Sequence, residues 1–132
     1  MASSQSMGMT LSMTHRIVAA STLKGIRVQN FAGEELAKVD DLVVDLDSGQ
    51  VTYLVLSLGG FLGIGDRLFA VPWDLFSTRA GEHELFLDIE KQMLLDAPAF
   101  ERIHWPDMSD ETWADKIRAH YQQQPYWNSS TS

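Results

Sequence analysis

The chain contains no cysteine, which removes disulfide frameworks, thiolate metal sites and thiol nucleophiles together. That absence fits a reducing compartment, and cytoplasmic residence is the expectation. Basic residues are scarce: ten Lys and Arg face 18 Asp and Glu, a formal net charge of −8. An excess of this sign repels a phosphate backbone instead of displacing its counterions, so nucleic acid is not an expected partner. Long apolar runs are missing as well. The longest apolar-rich stretch without charge, residues 51–65, is interrupted by Gly59, Gly60, Gly63 and Gly65. It stays short of the roughly 20 apolar residues that a membrane-spanning helix requires, so membrane insertion is not expected. The first sixteen residues are rich in Ser, Met and Thr but lack the basic start and apolar block of a secretory signal. A disordered tail is expected over residues 1–20.

At 132 residues the chain supports one domain, able to bury roughly two-thirds of the surface its unfolded form exposes. Turn signals recur about every ten residues in its first two-thirds: Asn30 to Glu34 with Gly33, Asp47-Ser48-Gly49, Gly59 to Gly65, and Arg79-Ala80-Gly81. Between them lie β-rich runs, which predict strands at 25–29, 36–46, 51–58, 67–71 and 84–89 in an antiparallel meander or small barrel. The longest run carries a slip of phase. Ala37 and Val39 lie on one parity, Leu42, Val44 and Leu46 on the other, and a β-bulge near Asp40-Asp41 reconciles them.

The run at 51–58 is apolar on both parities, with Leu54, Leu56 and Leu58 on one face and Val51, Tyr53 and Val55 on the other. A strand with one solvated face alternates, so a second cover is required here. Two candidates exist: the chain's own C-terminal helix, or another copy of the chain.

After residue 89 the pattern becomes helical. A short helix is expected over 91–97, stopped by Pro98, and a second from Ser109 as N-cap to about residue 122, ahead of Pro125. Asp110 and Glu111 follow that cap where the helix dipole favours negative charge. Trp113, Ile117 and Tyr121 recur at intervals of four and form the stripe expected to dock on the sheet.

Several motifs dissolve on inspection. Gly60 and Gly65 have the glycine spacing of a phosphate loop, but Asp66 and Arg67 stand where Lys and Ser or Thr would meet the phosphates. The glycines at 59, 60, 63 and 65 therefore read as a structural turn, with Phe61, Leu62 and Ile64 an apolar tip suited to contact. Asp45-Leu46-Asp47-Ser48-Gly49 begins like a calcium loop, yet Leu56 occupies the position of its closing glutamate. A hairpin turn with Gly49 at positive φ is the reading. Asp40, Asp41, Asp45 and Asp47 are expected to form a solvated acidic rim. His15, His83, His104 and His120 include no pair at ligand spacing. No catalytic residue, metal or cofactor is expected.

The order of these signals resembles the PRC-barrel family, which includes the cytoplasmic domain of the photosynthetic reaction centre H subunit and one domain of the ribosome maturation factors. The resemblance spans residues 21–80. It rests on Leu23-Lys24-Gly25, on the segment from Gly33 to Leu42, on Asp45 to Gly49, and most specifically on Leu58 to Asp66 leading into Val71-Pro72-Trp73. Residues 103–108 are also similar to the stand-alone bacterial members. The resemblance implies a mainly β fold, a small strongly twisted antiparallel barrel over 21–98, a helical extension over 99–125 with one or two helices, and a tail at 126–132. It further implies an adaptor without enzymatic chemistry that pairs with itself or leans on a larger assembly. Within these residues there is no anchor like that of the H subunit and no companion domain like that of the ribosome factors, so neither role is expected to transfer directly. The expected function is a homodimeric protein-interaction module presenting Val51, Tyr53 and Val55 to a second copy and the 61–64 tip or acidic rim to a protein partner. The alternative is a small-ligand sensor whose pocket is lined by Trp73, Phe69 and Tyr53.

Overall fold

The computed structural model describes residues 17–58, 67–79 and 84–122. A helical turn, α1 (Ala20–Leu23), leads into strands β1 (Arg27–Gln29), β2 (Glu35–Asp45), β3 (Gln50–Ser57) and β4 (Arg67–Pro72). A 3-10 turn (Trp73–Leu75) then precedes β5 (Phe76–Thr78), β6 (Leu85–Leu87), α2 (Lys91–Leu95), β7 (Phe100–Glu101) and α3 (Glu111–Tyr121). The strands form one sheet of order β5-β6-β1-β2-β3-β4-β7.

The mainly β architecture agrees with expectation, but two of its features correct the sequence reading. The sheet is mixed, because β1 and β6 run parallel, with Val28 opposite Leu85. It is also open among the described residues, with β5 and β7 at its edges. The cause is Pro72. Having no N–H to continue the ladder, it ends β4, and the 3-10 turn carries the chain away. The β5–β6 hairpin therefore joins the far side of the sheet beside β1.

The bulge near Asp40 is present. Val39 pairs with Leu56 and Asp41 with Val55, leaving Asp40 as the extra residue. This brings Val39 and Leu42 onto the same face, opposite Leu56 and Leu54, and the slip of parity becomes one continuous core face. A second shift lies nearer the hairpin end: Val43 pairs with Tyr53 but Val44 with Val51, so Thr52 is the extra residue, its Oγ1 donating to the Val43 carbonyl at 3.1 Å. The turn itself closes through Gly49, whose N–H donates to the Asp45 carbonyl at 2.7 Å and whose φ is +76°.

One face of the sheet gathers Val28, Ala37, Val39, Leu54, Leu56, Phe69, Val71 and Leu85 into the core. Tyr53, Val55 and Ala70 share the opposite face by alternation and pairing. That face is covered by the chain itself. Trp113 meets Tyr53 edge to face at 5.2 Å, while Ile117 and Tyr121 are buried in the same cluster as Tyr53 and Ala70. The helix begins one residue later than expected: Asp110 is the cap, accepting from the Thr112 N–H at 3.0 Å, while Ser109 bonds back to Asp107. At its other end, His120 Nε2 donates to the Met93 carbonyl at 2.7 Å and ties α3 to α2. Asn30, the buried polar residue of the core, accepts from the N–H groups of Ala32 and Glu34 and donates to the Ile89 carbonyl, locking the β1–β2 turn to the approach of α2.

Candidate functional site, a half-open groove at the hairpin end

The β2–β3 hairpin is longer than its neighbour. β4 stops at Pro72, opposite Tyr53, so residues 44–51 project past it. Across the Thr52 bulge the pairing passes from Val43 with Tyr53 to Val44 with Val51, and all four residues border the space beyond β4. An apolar floor results, with Trp73 and Met108 beside it. The space enclosed is a groove of about 830 Å³, bounded by the hairpin end, the 3-10 turn, the 107–109 turn and Arg118 of α3.

The groove offers solvent apolar and polar surface in similar measure. Leu46 is 91% exposed, Val44 45% and Trp73 37%. Trp73 is held by stacking on Phe76, with 6.3 Å between ring centres. Three carboxylates line the walls, those of Asp45, Asp74 and Asp107. Asp45 accepts from the Asp47 N–H at 2.9 Å, which fixes the turn. The Asp107 carboxylate accepts from the hydroxyl and N–H of Ser109 at 2.6 and 3.1 Å, and these bonds hold its carboxyl below the usual carboxylate range. Arg118 lies 3.5 Å from Asp74 and bridges α3 to the 3-10 turn. Burial pushes the Tyr53 phenol up, opposed by Arg118 and reinforced by Asp115.

This lining combines apolar contact with charge. It contains carboxylates, one guanidinium, amide and hydroxyl groups, and no histidine to pair with a hydroxyl. Among the described residues no group of three or more His, Asp or Glu is placed to hold a metal ion.

The residues singled out from the sequence divide. Val51 and Tyr53 line the groove. Val55 is fully buried and Tyr53 nearly so, which corrects their assignment to a surface for a second copy: α3 already occupies that face. Phe61, Leu62 and Ile64, with Gly59, Gly60, Gly63 and Gly65, lie outside the described residues. Trp113, Ile117 and Tyr121 form the docked stripe of α3, Trp113 half-buried and the other two buried. The proposed ligand pocket is also corrected, since Trp73 and Tyr53 line the groove but Phe69 is sealed in the core. The acidic rim is divided: Asp45 faces the groove, Asp40 pairs with Arg102, and Asp41 accepts from the Leu42 N–H. Of the histidines that are described, His104 is exposed beside Glu101 and His120 is half-buried. Sequence reasoning missed Val44, Leu46, Asp74, Met108 and Arg118 as a group. An apolar Leu46 between two aspartates was the signal available.

The groove thus lies at the hairpin end of a mixed β-sheet, with exposed apolar groups beside carboxylate walls. The PRC-barrel domain family model matches residues 15–94, more than half of the chain, and the chain belongs to that family. PRC-barrel domains are often involved in protein interactions. No curated protein matches the chain. Among the described residues no helix is long and apolar enough to cross a membrane.

Proposed function

We propose that this protein is a non-enzymatic interaction module that seats a segment of a larger protein in the groove at its hairpin end. One observation carries the reading: Val44, Leu46 and Trp73 expose apolar surface around a preformed cleft, whereas Tyr53 to Leu56 in the centre of β3 are buried. Contiguous exposed apolar surface rimmed by polar groups is characteristic of contact sites. The cysteine-free composition suits a reducing cytoplasm. Pairing of two copies through Tyr53 and Val55 is not part of this reading, because α3 fills that position.

The test compares proteins captured by the tagged wild type with those captured by Leu46→Glu and Trp73→Ala. A stoichiometric partner lost from both variants, but retained by Ile103→Ala on the β7–α3 connection, supports the reading. Retention by all variants moves the contact elsewhere. Light scattering on the same samples reports self-association.

A second reading, binding of a small molecule, is favoured by the groove volume, which lies within the range of ligand pockets. Trp73 reports it directly. A saturable change in tryptophan fluorescence with a metabolite, absent in Trp73→Phe, supports this reading over the first.

A further inference from the structure

Resting on the docking reading above, we propose that the segment seated in the groove is basic and amphipathic, with apolar side chains flanked by lysine or arginine. The floor calls for the apolar part. Val44, Leu46 and Trp73 are the exposed apolar groups there, and covering them removes their surface from water. The walls call for the charge. Asp45, Asp74 and Asp107 face one guanidinium, that of Arg118, which is already drawn to Asp74. Asp45 and Asp107 are thus left without a cation among the described residues that line the groove.

The field of the whole chain acts in the same direction, because its net charge of −8 speeds the approach of a cationic partner and disfavours an acidic one. Trp73 adds a face on which an arginine can stack. An acidic or phosphorylated segment would meet like charge at Asp45 and Asp107. Nucleic acid is disfavoured by the same arithmetic.

The experiment presents the full-length protein to a random twelve-residue peptide library, then measures selected peptides by fluorescence anisotropy. The expected result is enrichment of peptides with Lys or Arg beside apolar residues. Their affinity falls about fivefold to tenfold in the Asp45→Asn, Asp107→Asn double variant at low salt, and the difference shrinks toward one at high salt. Asparagine keeps the acceptor oxygen that fixes each turn, so the change removes charge without removing geometry. Asp96→Asn, at the C-cap of α2, is the control and leaves affinity unchanged. Groove-dependent peptides, lost with Trp73→Ala, that are neutral or acidic overturn the chemistry proposed here while leaving the docking reading intact. Peptides insensitive to Trp73→Ala overturn both. A wild-type dimer that becomes monomeric with Leu46→Glu makes a second copy the occupant and overturns the basic segment.

Discussion

Arg102 grips the carboxylate of Asp40 through two hydrogen bonds, Nη1 to Oδ2 at 2.9 Å and Nη2 to Oδ1 at 3.1 Å. Asp40 is the extra residue of the β2 bulge, and Arg102 follows β7 on the other side of β3 and β4. The fork therefore staples the segment leading to α3 to the irregular point of the longest strand. Both side chains keep solvent contact, so the pair is a modest contributor. A double-mutant cycle of Asp40→Asn and Arg102→Ala is expected to give a coupling of about 0.5–1 kcal/mol that declines with salt, measured by urea unfolding.

Val55 and Leu46 give opposite outcomes for the same substitution. Val55 is fully buried, and a glutamate there places an unpaired charge between sheet and helix at a cost of about 4 kcal/mol or more. Val55→Glu is expected to be unfolded by circular dichroism. Leu46→Glu is expected to stay within about 0.5 kcal/mol of wild type.

Tyr121 is buried at the end of α3, and its hydroxyl has no hydrogen-bond partner among the described residues. An unpaired buried hydroxyl costs free energy that its removal recovers. Tyr121→Phe is expected to raise the urea midpoint, by about 1 kcal/mol in stability, with an unchanged slope.

Burial pushes the Tyr121 phenol well above its ordinary value of 10. The folded chain then keeps a proton that the unfolded chain releases above pH 10, so folding stability falls as pH rises past that point. The contribution is at most about 1.4 kcal/mol per pH unit. Below pH 10 it is fully present. Denaturant titrations from pH 9 upward are expected to show a shallower alkaline loss in Tyr121→Phe than in wild type. Tyr53, shifted in the same direction chiefly by burial, leaves a smaller residue of the effect.

Gly49 sits at φ +76° with open space where a Cβ would project. The penalty for alanine is thus conformational and not steric crowding, about 1–2 kcal/mol. Gly49→Ala is expected to lower stability by that amount. Because the same turn carries Asp45 and Leu46, peptide affinity at the groove is expected to fall with it.

The sequence disclosed those features in which a residue pattern is broken. Ala37 and Val39 fall out of phase with Leu42 and Val44, and the bulge at Asp40 is where the phase changes. The bulge at Thr52 left no such trace, because β3 is apolar on both parities and a slip of one residue exchanges one apolar side chain for another. Turn spacing counted strands but carried no information on neighbours. The parallel pairing of β1 with β6 follows from the diversion at Pro72, which the sequence shows only as the end of a strand. The α3 stripe was legible because Trp113, Ile117 and Tyr121 repeat every four residues. The groove was not, since Val44 and Leu46 come from one part of the chain and Asp107, Met108 and Arg118 from another some 60 residues away, with no periodicity linking them.

The parallel β1–β6 ladder also orders the assembly of the molecule in time. β1 through β4 pair with near neighbours in sequence, apart from the loop between β3 and β4, and can associate as soon as each strand is available. β1, only three residues long, acquires its second partner when residues 85–87 arrive, and closing so long a loop is slow compared with forming a hairpin. Until β6 docks, the second edge of β1 lacks its partner, and the β5–β6 hairpin stays apart from the rest of the sheet.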